Sequence, residues 1–127
     1  MTYETNDLLR IAESYYNTIL KKDSETVANY LCPDIRFISP LVETQGKENV
    51  VAAAKNLMQI LEGIHIRSRF VSGNQVMFAY DFKLSLPIGK LRAAVLMDFR
   101  GALISRIELF YDTRPFEETR DSESKKS

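Results

Sequence analysis

Three tyrosines lie in strongly apolar segments of this sequence, where a hydroxyl group can meet a bound ligand. Tyr16 belongs to a helical repeat of apolar residues, whereas Tyr80 and Tyr111 belong to segments of alternating apolar residues. A buried phenol can donate a hydrogen bond to a ligand, and it can equally be a core ring whose hydroxyl reaches the surface. The residue types leave both uses open.

Few other side chains offer the groups that catalysis needs. Asp112 is interpreted either as an acid at the edge of a pocket or as the cap of the turn through Pro115, and the cap is preferred. Since His65 is the single histidine, neither a histidine-rich metal site nor a Ser-His-Asp arrangement can be built. No metal or other cofactor is expected.

Helical periodicity characterises the first half of the chain. It predicts helices at about 7–22, 24–31 and 47–62, with Gly63 as the residue that ends the third. A strand is predicted at 35–39, because Pro40 disfavours continuation, and residues 41–46 are predicted to be a loop. The apolar sides of these helices must pack against the structure that the second half of the chain forms.

The second half has the composition and alternation of β-strands. Segments 64–71, 76–84, 90–99 and 103–111 are separated by turn-like residues. The sequence therefore predicts an α+β fold, with three N-terminal helices packed on a strongly curved antiparallel sheet around an apolar pocket. We expect one domain at 1–116 and a polar, disordered tail at 117–127.

Alternation also assigns an outer face to the predicted sheet. Most of its residues are charged, including Arg67 and Arg69, and acidic residues interrupt the basic ones. A nucleic-acid surface is disfavoured because no aromatic residues alternate with the charges. Apolar residues within this face instead predict a homodimer interface; they are Ala79, Ala94, Leu96 and Phe110.

The charge balance narrows the choice of partners. Seventeen basic and seventeen acidic residues cancel, so no overall field attracts nucleic acid or a membrane, and neither is expected as a partner. The first residues lack the basic start and apolar core of a secretory signal, and no apolar run is long enough to span a membrane. A cytoplasmic location is the expectation.

The order of these elements resembles the SnoaL-like and ketosteroid isomerase-like superfamily, which shares the fold of nuclear transport factor 2. The resemblance covers about 7–116. It rests on a first helix with a tyrosine, a strand that ends before a proline, Gln45-Gly46-Lys47-Glu48 before the third helix, and a last strand that ends Phe110-Tyr111-Asp112. It implies a cone-shaped pocket between helices and sheet, and a homodimer through the convex face.

The resemblance also implies where catalytic groups belong. In ketosteroid isomerases a first-helix tyrosine and a protonated aspartic acid hold the enolate oxygen, and a second aspartate is the base. Tyr16 corresponds to the tyrosine, but Ser39 stands at the position of the base and Val95 near that of the protonated acid. The chain is therefore predicted not to be a ketosteroid isomerase. Asp112 corresponds to a last-strand acid of SnoaL-type polyketide cyclases.

Two functions follow as hypotheses. The first is binding of a small, largely apolar molecule, with Tyr16 and Asp112 as the catalytic candidates if an isomerase, cyclase or hydratase reaction without a metal takes place. The second is a non-catalytic dimeric module whose pocket is filled by its own side chains and which acts through protein–protein contacts. The ligand-binding residues predicted for the first are Tyr16, Phe37, Ser39, Tyr80, Phe82, Met97 and Tyr111.

Overall fold

The computed structural model describes residues 5–117 of the 127-residue chain. Within this range the fold is α+β, which confirms the predicted class. The elements are α1 (Thr5–Leu20), α2 (Ser24–Val27), a 3-10 turn (Ala28–Tyr30), β1 (Leu31–Ile38), β2 (Glu43–Gln45), α3 (Lys47–Ile60), β3 (Leu61–Ser72), β4 (Gln75–Leu84), β5 (Lys90–Arg100) and β6 (Leu103–Tyr111). A last helical turn covers 114–117.

The six strands form one curved, unclosed sheet in the order β2-β1-β6-β5-β4-β3. All neighbouring strands are antiparallel except β1 and β6, which run parallel. Our expectation of a wholly antiparallel sheet was therefore wrong for this pair. Alternation indicates which face a residue occupies, but it carries no information about which strand lies alongside.

The helices lie on the concave face of the sheet and bury its aromatic side. The apolar stripe of α1 repeats at helical spacing through Leu8, Ala12, Tyr15 and Ile19, all buried. Opposite this stripe, the alternating residues of β4 and β5 are buried, as alternation predicts. They are Phe78, Tyr80, Phe82 and Leu84 on β4, and Leu91, Ala93, Val95, Met97 and Phe99 on β5.

The segments around α2 and α3 differ in detail from the prediction. Helix α2 ends at Val27, and β1 already begins at Leu31, with an irregular register between Leu31 and Arg36. Pro33, which lacks a backbone N–H group, lies in this irregular stretch. Residues 43–45, predicted as loop, form the short edge strand β2, because the turn after Ser39 returns the chain alongside β1.

Gly63 does not end the third helix as predicted. Helix α3 ends at Ile60, and β3 begins at the next residue, so Gly63 lies within a strand opposite Lys83. The carbonyl of Ile60 accepts a hydrogen bond from the backbone N–H of Ser85 at 2.8 Å. This bond connects the end of α3 to the loop between β4 and β5.

A bulge in β3 changes the face of Arg69, which was predicted to lie on the outer face. The register of β3 against β4 shifts between Ile66 and Ser68. Arg69 therefore faces α1, where its guanidinium donates to the Glu13 carboxylate, and Phe70 faces outward with 60% of its surface exposed. Strict alternation had placed Arg69 on the outer face, and the inserted residue is the physical reason why it lies elsewhere.

Two further expectations concern membranes and the tail. No helix within residues 5–117 combines the length and apolar character that crossing a membrane requires. Glu117, the first residue of the predicted disordered tail, closes the last helical turn through its backbone N–H and the carbonyl of Thr113 at 3.1 Å. The rest of that prediction, 118–127, lies outside the described residues.

Candidate functional site

A cavity of about 230 Å³ lies between the helices and the concave sheet, at the end where β1, β4 and β6 finish. Two helices, four strands, the turn after β1 and the last helical turn contribute to its wall. The lining residues are Tyr15, Tyr16 and Ile19 from α1, Phe37, Ser39 and Val42 from β1 and the turn after it, Val50, Ala53, Ala54, Asn56, Leu57 and Ile60 from α3, Phe82, Leu84, Leu91, Ile107, Leu109 and Tyr111 from β4 to β6, and Phe116.

The lining is apolar apart from hydroxyl groups and one amide. Among the described residues, the lining contains no carboxylate, imidazole, amine, guanidinium or thiol group. Its polar side chains are Tyr15, Tyr16, Ser39, Asn56 and Tyr111. Within the described range of the chain, no cluster of three or more His, Cys, Asp or Glu side chains is placed to hold a metal ion. Such a wall can bind apolar surface and direct a few hydrogen bonds.

Tyr16 forms a buried hydrogen bond to the strand behind it. Its hydroxyl lies 2.9 Å from the hydroxyl of Tyr80, and the two rings meet edge to face with centroids 5.2 Å apart. Tyr80 is fully buried, so this bond satisfies a hydroxyl that no solvent reaches. Burial raises the pKa of both phenols, and both therefore stay protonated at neutral pH.

Tyr15 is a wall residue that the sequence reasoning did not select as a site residue. It is only 3% exposed, and its hydroxyl has no hydrogen-bond partner among the described residues. Burial raises its pKa, so it too is a neutral donor. Its spacing of four residues from Ile19 places both on the same stripe of α1, and this spacing was the available signal.

Ser39 lies on the wall, where its hydroxyl is used within a turn. The hydroxyl donates to the carbonyl of Val42 at 3.2 Å and accepts from the backbone N–H of Val42 at 3.1 Å. The backbone N–H of Ser39 also donates to the Val42 carbonyl at 2.7 Å. This arrangement closes the connection from β1 to β2, and it gives Ser39 no basic partner that would activate it.

Five of the seven predicted ligand-binding residues lie on the cavity wall, namely Tyr16, Phe37, Ser39, Phe82 and Tyr111. Tyr80 and Met97 do not; both are fully buried in the core away from the cavity. Alternation identified their face correctly. The helices pack directly on this part of the sheet, however, and separate from the sheet only toward the end where β1, β4 and β6 finish. The role of the five in binding stays a prediction.

Asp112, the second catalytic candidate, lies outside the cavity lining. Its carboxylate accepts hydrogen bonds from the backbone N–H of Arg114 at 3.0 Å and from the Arg114 guanidinium at 2.6 to 3.1 Å. These bonds lower the pKa of Asp112. The interaction with the Arg114 backbone matches the capping interpretation, and a catalytic role of Asp112 stays a prediction.

Sequence comparisons identify no relatives of this chain. No protein-family model matches the sequence. No curated protein matches it either. Any relationship must therefore be recognised from the structure, where similarity at low identity concerns the fold and leaves the activity open.

Solved structures with the same architecture are numerous. A protein from Kribbella flavida DSM 17836 superposes with a TM-score of 0.85 at 21% identity, covering 92% of this chain and 96% of the other. An NTF2-like protein of unknown function from Cytophaga hutchinsonii gives 0.73 at 17% identity, covering 91% and 96%. An LEH-like epoxide hydrolase from M. tuberculosis gives 0.76 at 14% identity, covering 91% and 90%. The chain therefore has the nuclear transport factor 2-like (NTF2-like) α+β fold.

Proposed function

We propose that the protein binds a small, largely apolar organic molecule in the cavity and that the Tyr15 hydroxyl donates a hydrogen bond to an oxygen of this ligand. The observation that carries the proposal is a phenol on a largely apolar wall, whose hydroxyl has no hydrogen-bond partner among the described residues. Because this hydroxyl borders the cavity, a ligand oxygen can accept a hydrogen bond from it, which contributes about 0.5–1.5 kcal/mol.

The size of the cavity limits the ligand. Water occupies about 30 Å³ per molecule in the liquid, so 230 Å³ corresponds to the volume of about eight water molecules, which suits a small ligand. Small cyclic ketones, ethers and short-chain ketones match this volume and carry the required acceptor. A cavity of this size also favours ligand binding over the alternative, a pocket filled by the protein's own side chains.

Binding is the proposed role, because the cavity wall lacks the groups that common reactions of this fold need. Proton abstraction from carbon and activation of water for epoxide opening both need a general base near its working pKa. The wall provides phenols, one serine and one amide, and burial raises the pKa of Tyr15 and Tyr16 further from neutrality. An isomerase or hydratase reaction has no base here.

The binding proposal is tested with 2-indanone and indane, which have nearly the same shape and differ in the ketone oxygen. We expect wild type to bind 2-indanone about two- to tenfold more tightly than indane, because one hydrogen bond contributes about 0.5–1.5 kcal/mol. Tyr15→Phe should remove most of this preference and leave the affinity for indane unchanged. Isothermal titration calorimetry measures all four affinities.

Tyr30→Phe is the matched control for Tyr15→Phe. The rings of Tyr30 and Tyr15 meet edge to face with their centroids 6.1 Å apart, but Tyr30 lies outside the cavity lining. Tyr30→Phe should therefore keep the wild-type preference. Failure of both compounds to bind wild type would contradict the proposed function. Equal binding of the two compounds by wild type would contradict the role of Tyr15 but would leave the proposed binding function intact.

We also propose that two copies associate through the convex face of the sheet. Three large apolar side chains are exposed on this face, and Phe70 and Phe110 are the most exposed, at 60% and 44%. An apolar patch bordered by charges is typical of a protein interface. The apolar residues of this face form two rows across neighbouring strands, Phe70–Met77–Leu96 and Ala79–Ala94–Phe110.

Leu96→Arg tests this association. Light scattering of wild type should give about twice the chain mass of 14.6 kDa, and the variant should give the mass of one chain, because a buried unpaired charge opposes association. Leu86→Arg, at an exposed loop position before β5, is the control and should stay dimeric. A variant Leu96→Arg that keeps the wild-type mass would exclude this face as the interface.

A further inference from the structure

The cavity wall is built from segments of different stability. Most lining residues belong to α1, α3 or the strands, where helix and ladder hydrogen bonds hold the backbone. Phe116 is different, because it lies in the C-terminal turn, which we define as residues 113–117 after the end of β6. Single turns that follow the last strand of a sheet open at lower free energy than the strands themselves.

Local contacts place the Phe116 ring at the cavity. Its centroid lies 5.6 Å from that of Tyr111 at an interplanar angle of 60°, and both rings line the cavity. The carbonyl of Thr113 accepts the backbone N–H groups of Phe116 at 3.0 Å and Glu117 at 3.1 Å. Asp112 orders the start of the turn through Arg114. The described bonds thus connect neighbouring residues in sequence.

We infer that the C-terminal turn is the cover of the cavity and that Phe116 sets the greatest length of ligand that the cavity accepts. This inference rests on the proposed binding function. Phe116 is half-buried and forms part of the wall with its ring, so removing the ring lengthens the cavity at that position. Phe116 follows the end of β6, so its replacement leaves the strand pairing of the sheet unchanged.

A series of 2-alkanones from 2-hexanone to 2-decanone measures the length limit. Each added methylene that is buried contributes about 0.8 kcal/mol, which corresponds to an affinity rise of about fourfold. For wild type this rise should stop at one chain length, beyond which affinity stays constant or falls. Phe116→Ala should move this limit to ketones longer by about two or three methylenes, since deletion of a buried ring leaves space.

Phe116→Trp should move the limit in the opposite direction, to shorter ketones. Because partial unfolding would weaken the binding of every ketone, two opposite shifts of the limit cannot result from unfolding. Leu86→Ala, at an exposed loop position outside the cavity lining, should keep the wild-type limit. An unchanged limit in both Phe116 variants would overturn the inference while leaving the proposed function intact. Absence of binding of every ketone to wild type would overturn the proposed function itself.

Discussion

Ser39→Asp should convert this protein into a catalyst for the isomerisation of 3-cyclohexenone to 2-cyclohexenone, whereas wild type should leave the ketone unchanged. The reaction needs a base that takes a proton from the carbon between the carbonyl and the double bond and returns it to the far carbon. Ser39 lies on the wall without a carboxylate nearby in the lining. A base at this position should raise the rate by about a hundredfold to ten-thousandfold.

The turn at position 39 is suited to this substitution. An aspartate can keep the hydrogen bond that Ser39 now accepts from the Val42 N–H group, and its second carboxylate oxygen stays available to the cavity. The Tyr15 hydroxyl can then donate to the developing enolate oxygen. Absorbance of the conjugated product measures the rate. A ketosteroid should remain unconverted by wild type, because the described residues of the cavity wall provide no general base.

Ser39→Asn is the control for this experiment, since it keeps the turn contact and adds no base. Equal rates for the two variants would show that general-base catalysis is not the source of any gain. Turnover by wild type would contradict the assignment of the site, because another acid would then have to reach the cavity. Asp112 and Glu43 directly follow the lining residues Tyr111 and Val42, and each is bound to an arginine outside the lining.

The hydrogen bond between Tyr16 and Tyr80 should make a large contribution to stability. Tyr16→Phe leaves the Tyr80 hydroxyl fully buried without its partner, so we expect the free energy of unfolding to fall by about 1–3 kcal/mol. Tyr80→Phe should cost less, about 0.5–1.5 kcal/mol, because the Tyr16 hydroxyl borders a cavity where water or a ligand can replace the lost partner.

The double variant separates this bond from the effect of each ring. Replacing both tyrosines removes both polar groups together, and its cost should be smaller than the sum of the two single costs. Urea unfolding monitored by circular dichroism provides the free energies. Strictly additive costs would contradict a direct interaction between the two hydroxyls.

Strand alternation allowed the concave face of the sheet to be predicted but not the part of it that borders the cavity. Phe82 and Tyr80 share one face of β4, and both are nearly or fully buried, yet only Phe82 lies on the wall. The difference depends on where α1 packs directly against the sheet and where the two separate. That separation depends on sheet curvature, to which strand twist and the register shifts of the sheet contribute, and alternation does not reveal it.

The neighbouring positions Tyr15 and Tyr16 illustrate a second limit of the sequence reasoning. Tyr16 was selected through the family resemblance, and its hydroxyl is occupied by Tyr80. The Tyr15 hydroxyl has no hydrogen-bond partner among the described residues, although helical spacing placed Tyr15 with the core stripe. Both residues are equally apolar in context, and only the three-dimensional arrangement distinguishes a satisfied hydroxyl from an available one.

The parallel pairing of β1 with β6 determines the order in which the fold can be completed. Phe37 pairs with Ile107, 70 positions later in the chain, whereas β3 to β6 pair through short turns. Closing a long loop costs more conformational entropy than closing a hairpin, so the four consecutive strands should associate first. During synthesis from the N-terminus, β1 therefore has only the three-residue β2 as a partner until the last strand is made, and the cavity wall becomes complete in that final step.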